Sequence, residues 1–180
     1  MRKRPIRAFV ALAVTLGWLT VSSASAGTLV EAQVNGLPLR IEAGSSQTPT
    51  DVVLNGDAYT TEPERSRSLG GNSSDFTLKE YGPGPIVAGH ISRYAILFRG
   101  DEICGEILFS PWMTPFLEPA VHAIAALQDT DPRLALVLEP SCGPVPFAIL
   151  ASAGWPLLAA SKTQEPFRTL QVRFDFQRAR

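Results

Sequence analysis

The chain has 180 residues, with 16 basic and 17 acidic side chains, two histidines and two cysteines. Four of the basic residues (Arg2, Lys3, Arg4 and Arg7) and none of the acidic ones fall in the first 26 positions, so residues 27–180 carry 12 basic against 17 acidic groups, a formal charge of −5. That balance disfavours nucleic acid, which needs a concentrated basic surface, and two cysteines exclude a disulfide-dense miniprotein and a four-cysteine metal centre.

Residues 1–26 read as a secretory signal peptide. The basic start is followed by an apolar run over 8–21, interrupted only by Thr15, Gly17 and Thr20. That run is shorter than the roughly 20 residues a bilayer span requires. Ala24-Ser25-Ala26 then supplies the small residues of a cleavage site before Gly27. A later apolar run over 145–160 is broken by Pro146, Gly154 and Pro156, so it does not read as a span. The expectation is one disulfide-containing unit over 27–180, exported to the periplasm or the medium, with no transmembrane anchor. In an oxidising compartment Cys104 and Cys142 are expected to pair with each other.

The first element after the leader is a hairpin. Val30, Ala32 and Val34 alternate with Glu31 and Gln33, Asn35-Gly36 suits a two-residue turn, and Leu37, Leu39 and Ile41 alternate beyond it. Pro38 has no N–H for a ladder, which predicts an edge position for this second strand. Residues 52–54 and 58–60 flank Asn55-Gly56-Asp57 as a second short pair. Residues 62–74, rich in charge and glycine, read as a surface loop. Residues 75–81 read as extended, and Gly82-Pro83-Gly84-Pro85 as a turn or a rigid crossing. A further hairpin joins 91–98 to 103–109 through Arg99-Gly100-Asp101-Glu102. Period two places Ile103, Gly105, Ile107 and Phe109 on one face of its second strand, and Glu102, Cys104, Glu106 and Leu108 on the other.

Residues 114–128 carry the one convincing helix. Leu117, Val121, Ile124 and Leu127 form its apolar stripe, reinforced by Ala120 and Ala125. Thr114 offers a cap and Pro115 suits the first turn, while Pro119 argues for a loose first turn or a later start. Residues 134–138 read as a buried strand, 140–146 as a constrained loop holding Cys142, and 147–152 as a short apolar strand. The last strand points Leu170, Val172, Phe174 and Phe176 inward. The pattern predicts an α+β fold, a mostly antiparallel β-sheet with one principal helix, with a β-sandwich or barrel carrying an appended helix as the rival.

Chemistry-bearing residues are few. His90 and His122 are the only histidines, so a three-histidine site within the chain is excluded and no metal or cofactor is expected. Glu102 and Glu106 sit about 13 Å apart on a strand at roughly 3.3 Å per residue. Paired glycosidase carboxylates stand roughly 5–9.5 Å apart, so these two need another partner to act. His90, His122, Glu102 and Glu106 are the candidates for an exported hydrolase, which is one alternative. A cysteine nucleophile is disfavoured by the second cysteine, and the sequence holds no Gly-x-Ser-x-Gly elbow.

Two apolar clusters remain: Phe109, Trp112, Met113 and Phe116 around Ser110-Pro111, and Trp155 with Pro156, Leu157 and Leu158. Each reads either as core or as an exposed docking patch. The expected function is a small exported, non-enzymatic protein-binding or accessory module. Trp112, Met113, Phe116 and Trp155 would make its contact, Arg99 and Asp101 its polar rim, and its partner would be another exported or envelope protein. A carrier of a small apolar ligand, which would need a closed cavity, is the remaining alternative.

Overall fold

The structure, a computed structural model, describes residues 27–44, 48–62 and 75–174. The leader, the 63–74 part of the expected surface loop and Phe176 lie outside the described residues.

The chain opens with a four-stranded meander: β1 (Thr28–Val34), β2 (Leu37–Ala43), β3 (Thr50–Leu54) and β4 (Asp57–Thr61). Asn35, Gly36, Asn55 and Gly56 have φ of 49, 76, 50 and 93°. These left-handed pairs close two-residue turns whose twist matches the flanking strands. Register follows from the alternation. Val30, Ile41 and Val52 fall in one row, and Ala32, Leu39 and Leu54 in the next; all six are buried. The edge position expected for β2 is not observed, since it pairs with both β1 and β3. Pro38 is tolerated because its carbonyl accepts from Asn55 N–H, at 2.9 Å, in the β3–β4 turn. A residue's N–H and C=O leave a strand on the same side, so the missing donor of Pro38 faces that turn and costs no ladder bond.

A second meander comprises β5 (Phe76–Val87), β6 (His90–Arg99) and β7 (Glu102–Ser110). Gly82-Pro83-Gly84-Pro85 does not turn the chain. It continues β5, with irregular register between Glu80 and Gly82 and between Pro83 and Ile86, and the turn falls at Ala88-Gly89. An outer strand accommodates two prolines because its free side requires no donors.

The final hairpin, β10 (Trp155–Ala160) and β11 (Phe167–Phe174), lies between the meanders. β10 pairs with β7 and β11 with β1, giving the order β4-β3-β2-β1-β11-β10-β7-β6-β5 with every neighbour antiparallel. The nine-stranded sheet is open at β4 and β5, so the fold is α+β rather than a closed barrel.

The principal helix, α1 (Thr114–Gln128), follows a single 3-10 turn over Pro111–Met113. It buries Leu117, Ala120, Val121, Ala123, Ile124 and Leu127 against one face of the sheet. Thr114 is not the cap; that position is Met113, without a side-chain hydrogen bond. Pro119 lies inside the helix. The acceptor it fails to serve would be Pro115, an exposed residue whose carbonyl water can reach.

Past α1 the chain covers the rest of that face with a 3-10 turn (Pro132–Leu134), the short pair β8 (Leu136–Val137) and β9 (Pro144–Val145), and one helical turn, α2 (Phe147–Leu150). The strand expected over 147–152 is therefore helical. Phe147 and Leu150, three apart, both reach the core. The expected 134–138 strand is reduced to two residues.

Cys104 and Cys142 form a disulfide with a Cα–Cα distance of 5.8 Å across a separation of 38. Closing such a loop removes about 4 kcal/mol of chain entropy from the unfolded state. Leu97 pairs with Gly105 while Phe98 pairs with Ile103, so Cys104 is an extra residue in β7. This bulge turns Cys104 and Gly105 to the helix side together and leaves Ile103 58 % exposed, against the simple alternation. Leu170 is likewise the extra residue opposite Glu31 and Ala32, and it faces out rather than in.

Candidate functional site

β7 ends where β10 begins, with Ser110 opposite Trp155. The chain then makes its 3-10 turn, and Pro111 fixes φ at the first position. Trp112 projects from this turn 76 % exposed, whereas Met113 beside it is buried. One helical turn later Phe116 is 47 % exposed, and its ring meets Phe174 edge-on with centroids 5.2 Å apart. Phe174 also meets His90, at 6.5 Å. The tip of the β5–β6 hairpin contributes Ile86 and Ile91, partners across the turn and the most exposed aliphatics described. Phe174 pairs with Thr28, the first residue of β1. The apolar patch thus lies where the sheet receives and releases the chain.

The sequence-based contact set divides. Trp112 and Phe116 are on the surface. Met113 and Trp155 are core, so neither can meet a partner directly. The indole N–H of Trp155 donates to Thr169 Oγ1 at 3.0 Å, and its ring packs against Phe147 at 5.6 Å and Phe167 at 6.3 Å. Arg99 and Asp101 do not rim the patch. Arg99 ends β6, nine residues from His90, about 30 Å at 3.3 Å per residue, and Asp101 lies in the turn beyond it. There Arg99 donates to the Cys142 carbonyl at 2.7 Å and lies over the Phe76 ring.

The hydrolase candidates are not brought together. His90 begins β6, Glu102 begins β7 at the opposite end, and Glu106 is four residues further along. Glu102 accepts a hydrogen bond from Ser141. His122 lies on α1, 3.7 Å from Glu118. Among the described residues no group of three or more His, Cys, Asp or Glu side chains could hold a metal ion. A shallow hollow of about 340 Å³ over β2–β4 is open and lined in part by groups that already pair: Arg40 with Glu42 at 2.5 Å and the Thr60 hydroxyl with Asp51 at 2.7 Å.

One polar cluster escaped the sequence reading. Arg133 reaches Asp57 at 2.7 Å, Asp131 at 2.7 Å and the Tyr59 oxygen at 2.6 Å, and the Tyr59 hydroxyl donates to Asp131 at 2.9 Å. Hydrogen bonds from the Arg133 side chain hold the Asp131 carboxyl well below the usual carboxylate range, against the opposing effect of burial. The bond to Asp131 raises the Tyr59 hydroxyl above its ordinary value. All four groups satisfy one another, which makes this a clamp between edge strand β4 and the turn after α1. Its members Asp131 and Arg133 follow α1 directly, and their partners Tyr59 and Asp57 lie more than 70 positions away.

Among the described residues no helix is long and apolar enough to cross a membrane. Comparison with protein-family models, curated proteins and solved structures finds no match.

Proposed function

We propose that the protein is an exported, non-enzymatic binding module, acting as one unit over residues 27–180, that docks another exported or envelope protein through the Trp112–Phe116 patch. The observation that carries this reading is the 76 % exposure of Trp112 on a proline-fixed turn. A large aromatic held rigidly in water gains much apolar contact on binding at small entropic cost. Phe116 with Phe174, and Ile86 with Ile91 at the tip of the β5–β6 hairpin, add apolar surface, while Met113 in the same turn is buried. Export is supported by the leader-like residues 1–26 and by the pairing of the chain's two cysteines, a bond that persists in oxidising compartments.

The test is affinity capture from the host's exported fraction with the wild type and Trp112→Ala side by side, followed by direct titration of any retained protein. The expected result is a stoichiometric partner whose affinity falls at least about tenfold with the indole removed, the behaviour of a central aromatic contact. A partner retained equally by W112A and Phe116→Ala would place the contact elsewhere.

A further inference from the structure

An antiparallel sheet covered by helices on one face is expected to point polar residues to water on the other. The β1–β4 half follows that rule: Glu31 and Arg40 pair across the open face, and so do Glu42 and Asp51. β6 departs from it. Over residues 94–98 its helix-facing positions, Ala95 and Leu97, are fully buried, and the opposite face carries the half-buried Tyr94, Ile96 and Phe98. A strand apolar on both faces is the signature of a strand covered on both faces. Its neighbours continue the patch, with Tyr81 53 % and Ile103 58 % exposed. α1 packs against β2, β3 and β10 and α2 against β10 and β5, and Tyr81 and Ile103 remain exposed beside β6.

The charges flanking the patch identify what fits it. The register places Lys79 on β5 and Glu106 on β7 directly opposite Ile96, one on each side. Each is exposed and about 4.8 Å from the β6 axis. Rotation by a half-turn about an axis along β6 exchanges the two positions. A second copy applied that way would stack Tyr94, Ile96 and Phe98 on their own equivalents. It would also set each Lys79 against the other copy's Glu106, twice over, which is the self-complementarity an isologous contact requires. A half-turn about the perpendicular in-plane direction would instead oppose lysine to lysine.

We infer that the protein forms a two-fold homodimer by packing this open β5–β7 face against the same face of a second copy, with Lys79 and Glu106 pairing across the axis. The sheets stack about 10 Å apart, within reach of both side chains. The contact is built from residues other than those around Trp112, so it is independent of the proposed docking surface. A contact only a few strands wide lies at the small end of specific interfaces, so the dimer is expected to be reversible.

Sedimentation equilibrium of the protein purified under oxidising conditions, across the micromolar to near-millimolar range, tests the inference through charge exchange. Lys79→Glu and Glu106→Lys should each weaken dimerisation by about tenfold or more, because each opposes like charges twice. The double exchange K79E/E106K restores opposite charges and should return the dissociation constant to within about threefold of wild type. Circular dichroism of each variant checks folding, and the double variant is its own control. A wild type that stays monomeric throughout, a dimer indifferent to the single exchanges, or a double variant no better than the singles would each overturn the proposal.

Discussion

Trp112 and Trp155 are the same side chain in opposite circumstances. Trp155 is 1 % exposed, with its N–H satisfied and two aromatic rings in edge contact with it. Trp112 leaves most of its surface in water. Trp155→Ala should therefore cost about 3–5 kcal/mol, as truncation of a buried tryptophan does, while Trp112→Ala should stay within about 0.5 kcal/mol of wild type. Denaturant midpoints of the two variants check this. Comparable losses would mean that the Trp112 indole is covered. The local sequence could not separate them, since both sit beside proline among apolar neighbours. What separates them is register: Trp155 opens β10 between α2 and β11, and Trp112 lies one residue past the start of a turn that leaves the sheet. The exposure of Trp112 and Phe116 and the burial of Met113 and Trp155 were therefore decided by distant pairing that the local sequence does not carry.

At the scale of elements, what was readable was what local chemistry determines. Asn-Gly pairs require left-handed φ at both positions, and both became hairpin turns. The stripe on α1 needed only its own spacing. Bulges are different, because an extra residue at Cys104 or Leu170 is defined by the partner strand and resets which side chains face inward. The segment over 132–150 was hardest to read. Its form is imposed by Gln128 at the end of α1, whose amide donates to the Leu134 and Val145 carbonyls at 3.0 and 3.3 Å and accepts from Phe147 N–H at 2.7 Å. These bonds gather the 3-10 turn over Pro132–Leu134, β9 and α2 at one point. Gln128→Leu keeps the bulk and strands three backbone groups, so it should destabilise by about 1–3 kcal/mol. Hydrogen exchange at the Phe147 amide should accelerate with it; unchanged protection there would mean that packing, not Gln128, holds the segment.

Across the whole molecule, the strand order is the property that no local signal carries. Two meanders form from adjacent segments, but the sheet is completed only when the last hairpin inserts between them and pairs β1 with β11. Edge strand β4 then depends on the Arg133 clamp to reach the segment that follows α1. Asp131 gives that clamp a defined pH response. Its carboxyl titrates lower in the folded protein than in the unfolded chain, where the ordinary value is about 3.9, so between those points the unfolded chain binds more protons. Stability from the clamp is accordingly complete above the ordinary carboxylate range and is lost as pH falls through it toward the folded value. Asp131→Asn removes the charge at every pH. The difference in Tm between wild type and D131N should therefore be widest near neutrality and shrink below about pH 4. A difference that stayed constant from pH 7 to acid would show that Asp131 acts only through the turn it caps at Arg133 N–H, and that β4 is held by its ladder with β3 alone.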